Sequence, residues 1–389
     1  MSAMNRGTVT DVGCFVDNAH LAKYIGGKNT LITQGGGQRG IFTAGVLDAF
    51  LLANFDPFDS FYGTSAGALN LYPYLCRQRG LGKAFIQELT THVDFFNLFA
   101  YIRRKQYLNL DWALDKICNY PYRLDIDLGK RALGQRRAYA AVTDADNLVD
   151  HYLPILKSEW RLPLIASCAI PTLVPQPTPY EGRQYVDGGV SASIPVQEAW
   201  RQGGRLLVVI RTEQTDTSVA SNALTQSEQE WLRSDYSRFD HPVREKLSQL
   251  RGEWNQFLKR KFSFPDNGEK DILNGGRWLF GADNLYRLSY LLGRTTDPGI
   301  IDMLMVHFQT YSLTLEFLQN PPDDAFVVQI APSQPLRSNS LMSKVEDLEA
   351  DYQLGLKAGY YFVQSMQVAN ALCERPVSLN RSGLLATDK

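Results

Sequence analysis

The sequence predicts an α/β layered fold with a mostly parallel central sheet, followed by a largely helical C-terminal region. Three observations carry that expectation. Short apolar runs alternate with helical patterns up to Thr212, glycine turns follow three of the strand-like runs, and the texture becomes polar and then helical beyond Thr212. The 389 residues, 44% of them hydrophobic, suffice for one large domain or two modest ones.

The elements follow in order. Residues 1–28 read as an N-terminal extension: MSAMNRGTVTDVGCF lacks the apolar run of a signal peptide. NTLITQ, from Asn29, reads as a short buried strand leading through GGGQRG into IFTAGVLDAFLLANF, where Ile41, Val46, Leu47, Phe50 and Leu51 recur at helical spacing. FDSFYG then leads through Ser65 into ALNLYPYLCRQRG, a second strand–turn–helix, which Pro73 is expected to kink or break. RAYAAVTDA (137–145) reads as a strand, SEWRLPLIASCAI (158–170) as a helix, and RQYVDGG (183–189) as a strand meeting a glycine turn. RLLVVIRT (205–212) is a continuous branched run, as expected of a strand buried on both faces. Residues 29–212 thus form the expected core. Residues 213–389 form the C-terminal region: polar through 214–275, helical through 283–318, a late strand at 325–332 expected to rejoin the sheet, and a long helix near 343–372.

Forty basic against 41 acidic residues leave a net charge of −1, so no global field attracts nucleic acid or an acidic membrane. Cys14, Cys76, Cys118, Cys168 and Cys373 are scattered and odd in number, which suits reduced thiols in the cytoplasm better than disulfides. No CxxC pair or metal cluster is visible, and no segment approaches 18 uninterrupted apolar residues.

Three glycine turns carry the candidate chemistry. Gly35, Gly37 and Gly40 satisfy the dinucleotide spacing G-x-G-x-x-G, with Asp56 and Asp59 near the place of the ribose-binding acid. The competing reading is an oxyanion hole, in which consecutive glycine N–H groups converge on one negative oxygen. GTSAG places Ser65 between Gly63 and Gly67, the pattern of a nucleophile on a tight strand-to-helix turn; the plainer alternative is a serine that caps the helix. VDGGV puts Asp187 at a strand end, where a partly desolvated carboxylate can accept the proton of a serine. Its plainer alternative is an Asx turn.

GGGQRG, GTSAG and VDGGV, in that order, resemble the patatin-like phospholipases, closely over about residues 29–212. The resemblance implies a three-layer α/β/α fold and hydrolysis of lipid acyl esters by a serine–aspartate dyad. Ser65 would then be the nucleophile, Asp187 its proton acceptor, and Gly35, Gly36, Gly37 and Arg39 the oxyanion stretch. ASCAIP (166–171) resembles a segment that supports the active site in that family. One departure is visible: Ser193 precedes Ile194-Pro195-Val196 where the family often carries Asn, which bears on a local turn bond and not on the dyad.

A histidine base in the order Ser–Asp–His would leave His241 or His307. His241 lies in polar sequence, and His307 sits on an apolar helical face, where a core role is commoner. VDFFNLFAYIRRKQY (93–107) and FLKRKF (257–262) join aromatic and basic residues, as at a lipid surface or equally at the solvated end of a core helix. The sequence therefore points to a cytoplasmic serine acyl hydrolase acting on lipid or phospholipid esters, with peripheral contact at the inner face of a membrane as its reach. No metal, organic cofactor or nucleic acid is implied. The rivals are an esterase for soluble esters and a non-catalytic lipid- or nucleotide-binding regulator.

Overall fold

Leu206–Ile210 and Phe326–Ile330, both dominated by branched or aromatic residues, lie side by side and fully buried near the middle of one sheet. In this computed structural model the described residues are 5–97, 108–171, 173–174, 176–215, 298–373 and 378–383. The chain divides into two compact units, Met1–Thr215 with Met303–Lys389, and Asp216–Asp302. The second unit lies outside the described residues except for the start of one helix. The sheet belongs to the first.

In chain order the strands are β1 Arg6–Thr10, β2 Gly13–Phe15, β3 Asn29–Thr33, β4 Ser60–Thr64 and β5 Arg137–Asp144. They continue with β6 Asp150–Pro154, β7 Thr178–Tyr180, β8 Arg183–Asp187, β9 Leu206–Ile210 and β10 Phe326–Ile330. They form one 10-stranded sheet in the order β2-β1-β10-β9-β3-β4-β5-β8-β7, with β6 also on β5. From β1 to β5 in that order every pairing is parallel. The margins β2, β6, β7 and β8 pair antiparallel.

The late strand expected from the sequence is β10, inserted between β1 and β9. The first 28 residues, read in sequence as an extension, supply β1 and β2. RGTVT holds one strongly apolar residue, the fully buried Val9, so no local pattern marks it as a strand. Its partner β10 lies some 320 residues away, and that pairing supplies what local propensity does not.

Alternation along the strands sorts the core into two faces. Leu206, Val208 and Ile210 join one apolar cluster, while Leu207 and Val209 join the other. The first face is covered by α1 Asn18–Ile25, α2 Gly40–Leu52, α3 Ala66–Leu75 and the C-terminal helix Val345–Leu372. The second packs against the helices Val196–Arg201 and Pro298–Gln319 through Ala199, Tyr311, Leu315 and Leu318. The result is three layers, α/β/α. Phe50, Phe55, Phe58, Phe61, Tyr74 and Phe362 meet mostly tilted or edge-on, closing α2 and the C-terminal helix over β4. A side chain at Gly45 or Gly355 would strike the backbone of the facing helix, so glycine sets how near these two helices come. Pro73 stands in the last turn of α3, which ends at Leu75.

Candidate active site

Ser65 stands between β4 and α3 with φ 50° and ψ −123°, a conformation a non-glycine residue adopts only under strain. Its two glycines have steric reasons. A Cβ at Gly63 would lie 2.7 Å from the Ala68 backbone and from Thr33 Oγ1, and one at Gly67 would collide with the Thr33 carbonyl oxygen. The Ser65 amide donates to Ser167 Oγ (2.9 Å), and the Ser167 hydroxyl donates to the Ala141 carbonyl (2.6 Å). The Ser65 side chain makes no capping bond to α3. The helix-cap alternative therefore fails, and the hydroxyl stays available on the turn.

Sheet register brings Asp187 to the same end. Thr64 pairs with Ala141 across β4 and β5, and Val142, the next residue on β5, pairs with Asp187. β8 runs antiparallel but pairs with only the last three residues of β5, so its own last residue comes level with the end of β4, where Ser65 stands. Gly188 then passes so close to the Ala141 carbonyl that a Cβ would collide with it. The Asp187 amide donates to Ala169 O (3.0 Å), and its carbonyl accepts from Thr143 Oγ1 (2.9 Å). Asp187 Oδ1 accepts the Gly189 N–H at 2.6 Å, the Asx-type bond of the plainer reading. Oδ2 is buried and has no hydrogen-bond partner among the described residues. One oxygen thus holds the turn, and the other makes no hydrogen bond among the described residues.

Burial pushes the Asp187 carboxyl up to about 6, against the opposing pull of the Gly189 N–H, the nearby Ser65 hydroxyl and His307. Cys168, one of the scattered thiols and part of ASCAIP, lies against the same pair. Burial and the Asp187 charge push its thiol well above the ordinary range. A thiol so buried stays protonated, the less nucleophilic form.

The glycine loop follows β3. The Gly35 N–H donates to Ser193 O (3.3 Å), and the Gly35 carbonyl accepts from Thr212 Oγ1 (2.8 Å). A Cβ on Gly35 would sit 3.5 Å from Ser65 Cβ, which fixes how near this loop lies to the serine. Gly36 has φ 145° and Gly37 φ 58°, and a Cβ on Gly37 would collide with the Ser340 carbonyl. That carbonyl accepts the Gln38 N–H (2.8 Å), while the Arg39 N–H donates to Gly36 O (3.2 Å). The N–H groups of Gly36 and Gly37 have no hydrogen-bond partner among the described residues. The Arg39 guanidinium pairs with Glu213 through Nη1 (3.5 Å), and its buried Nε has no hydrogen-bond partner among the described residues. Burial alone would raise the Glu213 carboxyl, but Arg39 and the Tyr311 hydroxyl outweigh it and hold it below the usual range.

The acids that the dinucleotide reading requires are engaged elsewhere. Asp56 is buried in ion pairs with Arg77 and Arg136, and Asp59 pairs with Arg381. His20 bonds Asn5, His92 stacks on Trp112, and His151 lies 3.9 Å from Asp144. His307 alone of the described histidines reaches the turn after Asp187, and His241 lies outside the described residues. FLKRKF and residues 98–107 of the basic aromatic segment also lie outside them. Among the described residues, no group of three His, Cys, Asp or Glu residues is placed to hold a metal ion. No helix there is long and apolar enough to cross a membrane.

Residues 31–200, which contain the glycine loop, Ser65 and Asp187, match the patatin-like phospholipase family. The chain belongs to that family. Membership places the chain among the hydrolases of lipid acyl esters in general. Residues 297–369 match a domain of unknown function, DUF6363. The uncharacterized protein YjjU of Escherichia coli is 30% identical over 341 residues, covering 87% of this chain and 78% of that protein. Among solved structures, VipD from Legionella pneumophila aligns with 88% of this patatin-like chain and 67% of its own, at 13% identity and a TM-score of 0.33. That likeness is too distant to carry anything from one chain to the other.

Proposed function

We infer that the protein hydrolyses carboxylic esters of lipids, of the phospholipase A or lysophospholipase type, through a Ser65–Asp187 dyad. Ser65 Oγ attacks the acyl carbonyl carbon as its proton passes to Asp187 Oδ2. The tetrahedral oxyanion is met by the Gly36 and Gly37 N–H groups, with the Arg39 guanidinium adding positive charge nearby and Gly35 giving the ester room to approach. Collapse expels the alcohol portion, which takes the proton back from Asp187. Water then attacks the acyl-serine with Asp187 again accepting a proton, and the fatty acid leaves as Ser65 recovers its hydrogen.

The observation that supports this reading best is the condition of Asp187. One oxygen is fixed by the Gly189 N–H, the other is buried without a hydrogen-bond partner among the described residues, and burial has raised the carboxyl to about 6 beside a strained serine. A carboxylate so raised is a stronger base than one in water and is still ionised at neutral pH. The same constellation serves lipid and soluble esters alike, and family membership favours lipid.

The test is release of free fatty acid from phospholipid and lysophospholipid vesicles, with the products identified by mass spectrometry. Wild type should release acid, and Ser65→Ala and Asp187→Asn should not. Hydrolysis confined to short soluble esters would support the esterase reading instead. Turnover by folded Asp187→Asn at the wild-type rate would remove the dyad.

A further inference from the structure

His307, on the helix Pro298–Gln319, reaches the turn that carries Asp187. Its Nδ1 lies 2.6 Å from the Gly189 carbonyl oxygen and 3.4 Å from Ser193 Oγ. The Ser193 hydroxyl donates to that same carbonyl at 2.9 Å. A carbonyl oxygen only accepts, so Nδ1 carries the hydrogen and the tautomer is set. The ring is held flat against Tyr311, with centroids 5.8 Å apart and planes 9° apart. Tyr311 is held in turn by its hydroxyl's bond to Glu213.

Gly189 is a pivot for the site, because its N–H is the donor that fixes Asp187 Oδ1. Two consecutive glycines, Gly188 and Gly189, leave this turn with the least backbone restraint any dipeptide offers. Its conformation must be imposed from outside. Ser193 also bears on the glycine loop, since its carbonyl accepts the Gly35 N–H. One short segment therefore joins the carboxylate to the loop next to Ser65.

We propose that His307 and Ser193 are positioning residues, gripping the Gly189 carbonyl so that the turn aims the Asp187 carboxylate at Ser65 and stays in register with the glycine loop. The proposal rests on the reading of Asp187 as proton acceptor. It gives the C-terminal region, which matches a family of unknown function, a part in the site: that region supplies the ring that shapes the turn.

The test compares His307→Leu, which fills the space without a donor, with His307→Asn, whose amide nitrogen stands near the place of Nδ1. Both are made in the full chain, and folding is checked by circular dichroism and melting. His307→Leu should lower kcat about 10- to 100-fold with KM within about twofold, the scale of loss expected when reacting groups are misplaced. His307→Asn should recover kcat to within about threefold of wild type. Ser193→Ala, a smaller change at the second donor, should lower kcat about 3- to 10-fold in the same pattern, and it stands if the leucine variant fails to fold. Folded His307→Leu and Ser193→Ala enzymes with wild-type kcat would overturn the clamp, while an inactive Asp187→Asn in the same assay would leave the dyad intact. An active Asp187→Asn would instead defeat the dyad reading itself. A folded His307→Asn as inactive as Ser65→Ala would show that the ring reacts directly, which contradicts positioning.

Discussion

The Ser65 amide donates to the hydroxyl of Ser167, and Ser167 passes its own hydrogen to the Ala141 carbonyl of the neighbouring strand. The strained turn therefore has its inward N–H satisfied by a side chain from another helix. Ser167→Ala leaves that N–H buried and unpaired, an expected loss of about 1–3 kcal/mol. Denaturant melts should show it, and ester turnover should fall about tenfold as the serine loosens. Unchanged stability would mean that the turn is held by its glycines alone.

Activity should depend on pH through Asp187. The carboxyl is raised to about 6 by burial, and only its ionised form can take the serine proton. kcat/KM should therefore fall about tenfold per pH unit below that value and level off above it. A pH–rate profile on a neutral ester, whose own charge is constant, reads this directly. A limb near 4 would place the base in a wetter setting than the structure gives it.

The same shift makes a stability prediction with a definite sign. The folded-state value, about 6, exceeds the ordinary 3.8, so the native protein keeps a proton that the unfolded chain has already released. That stabilisation is full below the unfolded value and is lost as pH rises through about 6. Asp187→Asn retains the oxygen that bonds Gly189 and carries no charge to bury. Relative to wild type it should gain stability between pH 4 and 6 and then hold the gain, at most about 3 kcal/mol. Melts at pH 4.5 and pH 8 measure the difference, and an equal effect at both would contradict the assignment.

Gly36→Ala should reduce turnover by about 10²-fold or more, the order expected when an oxyanion donor is displaced. The structure gives two reasons, φ 145° and a Cβ only 2.7 Å from Thr212 Oγ1. Calorimetry with NAD or ATP should show no specific binding, because Asp56 and Asp59 are committed to arginines.

Much of the fold and site is legible in the sequence because it is local. Strand, glycine turn and helix lie within a few residues of one another at Gly35 and at Ser65, and steric need selects glycine there whatever the rest of the chain does. The parts that escape are non-local. β1 becomes a strand through a partner near the other end of the chain, and no pattern in RGTVT announces it. His307 reads as a core residue because its own helix is apolar, and nothing nearby shows that it faces Gly189. The Asx turn and the proton acceptor look like alternatives in VDGGV, yet Oδ1 alone makes the Asx bond and Oδ2 has no hydrogen-bond partner among the described residues, so the first does not preclude the second.

Labelling with a fluorophosphonate probe, followed by peptide mapping, tests the central claim most directly, since it requires an activated serine at one position. The dyad predicts a single labelled serine, Ser65, and no labelling of a folded Ser65→Ala variant. Equal labelling of that variant, or a label mapped to another serine, would contradict it.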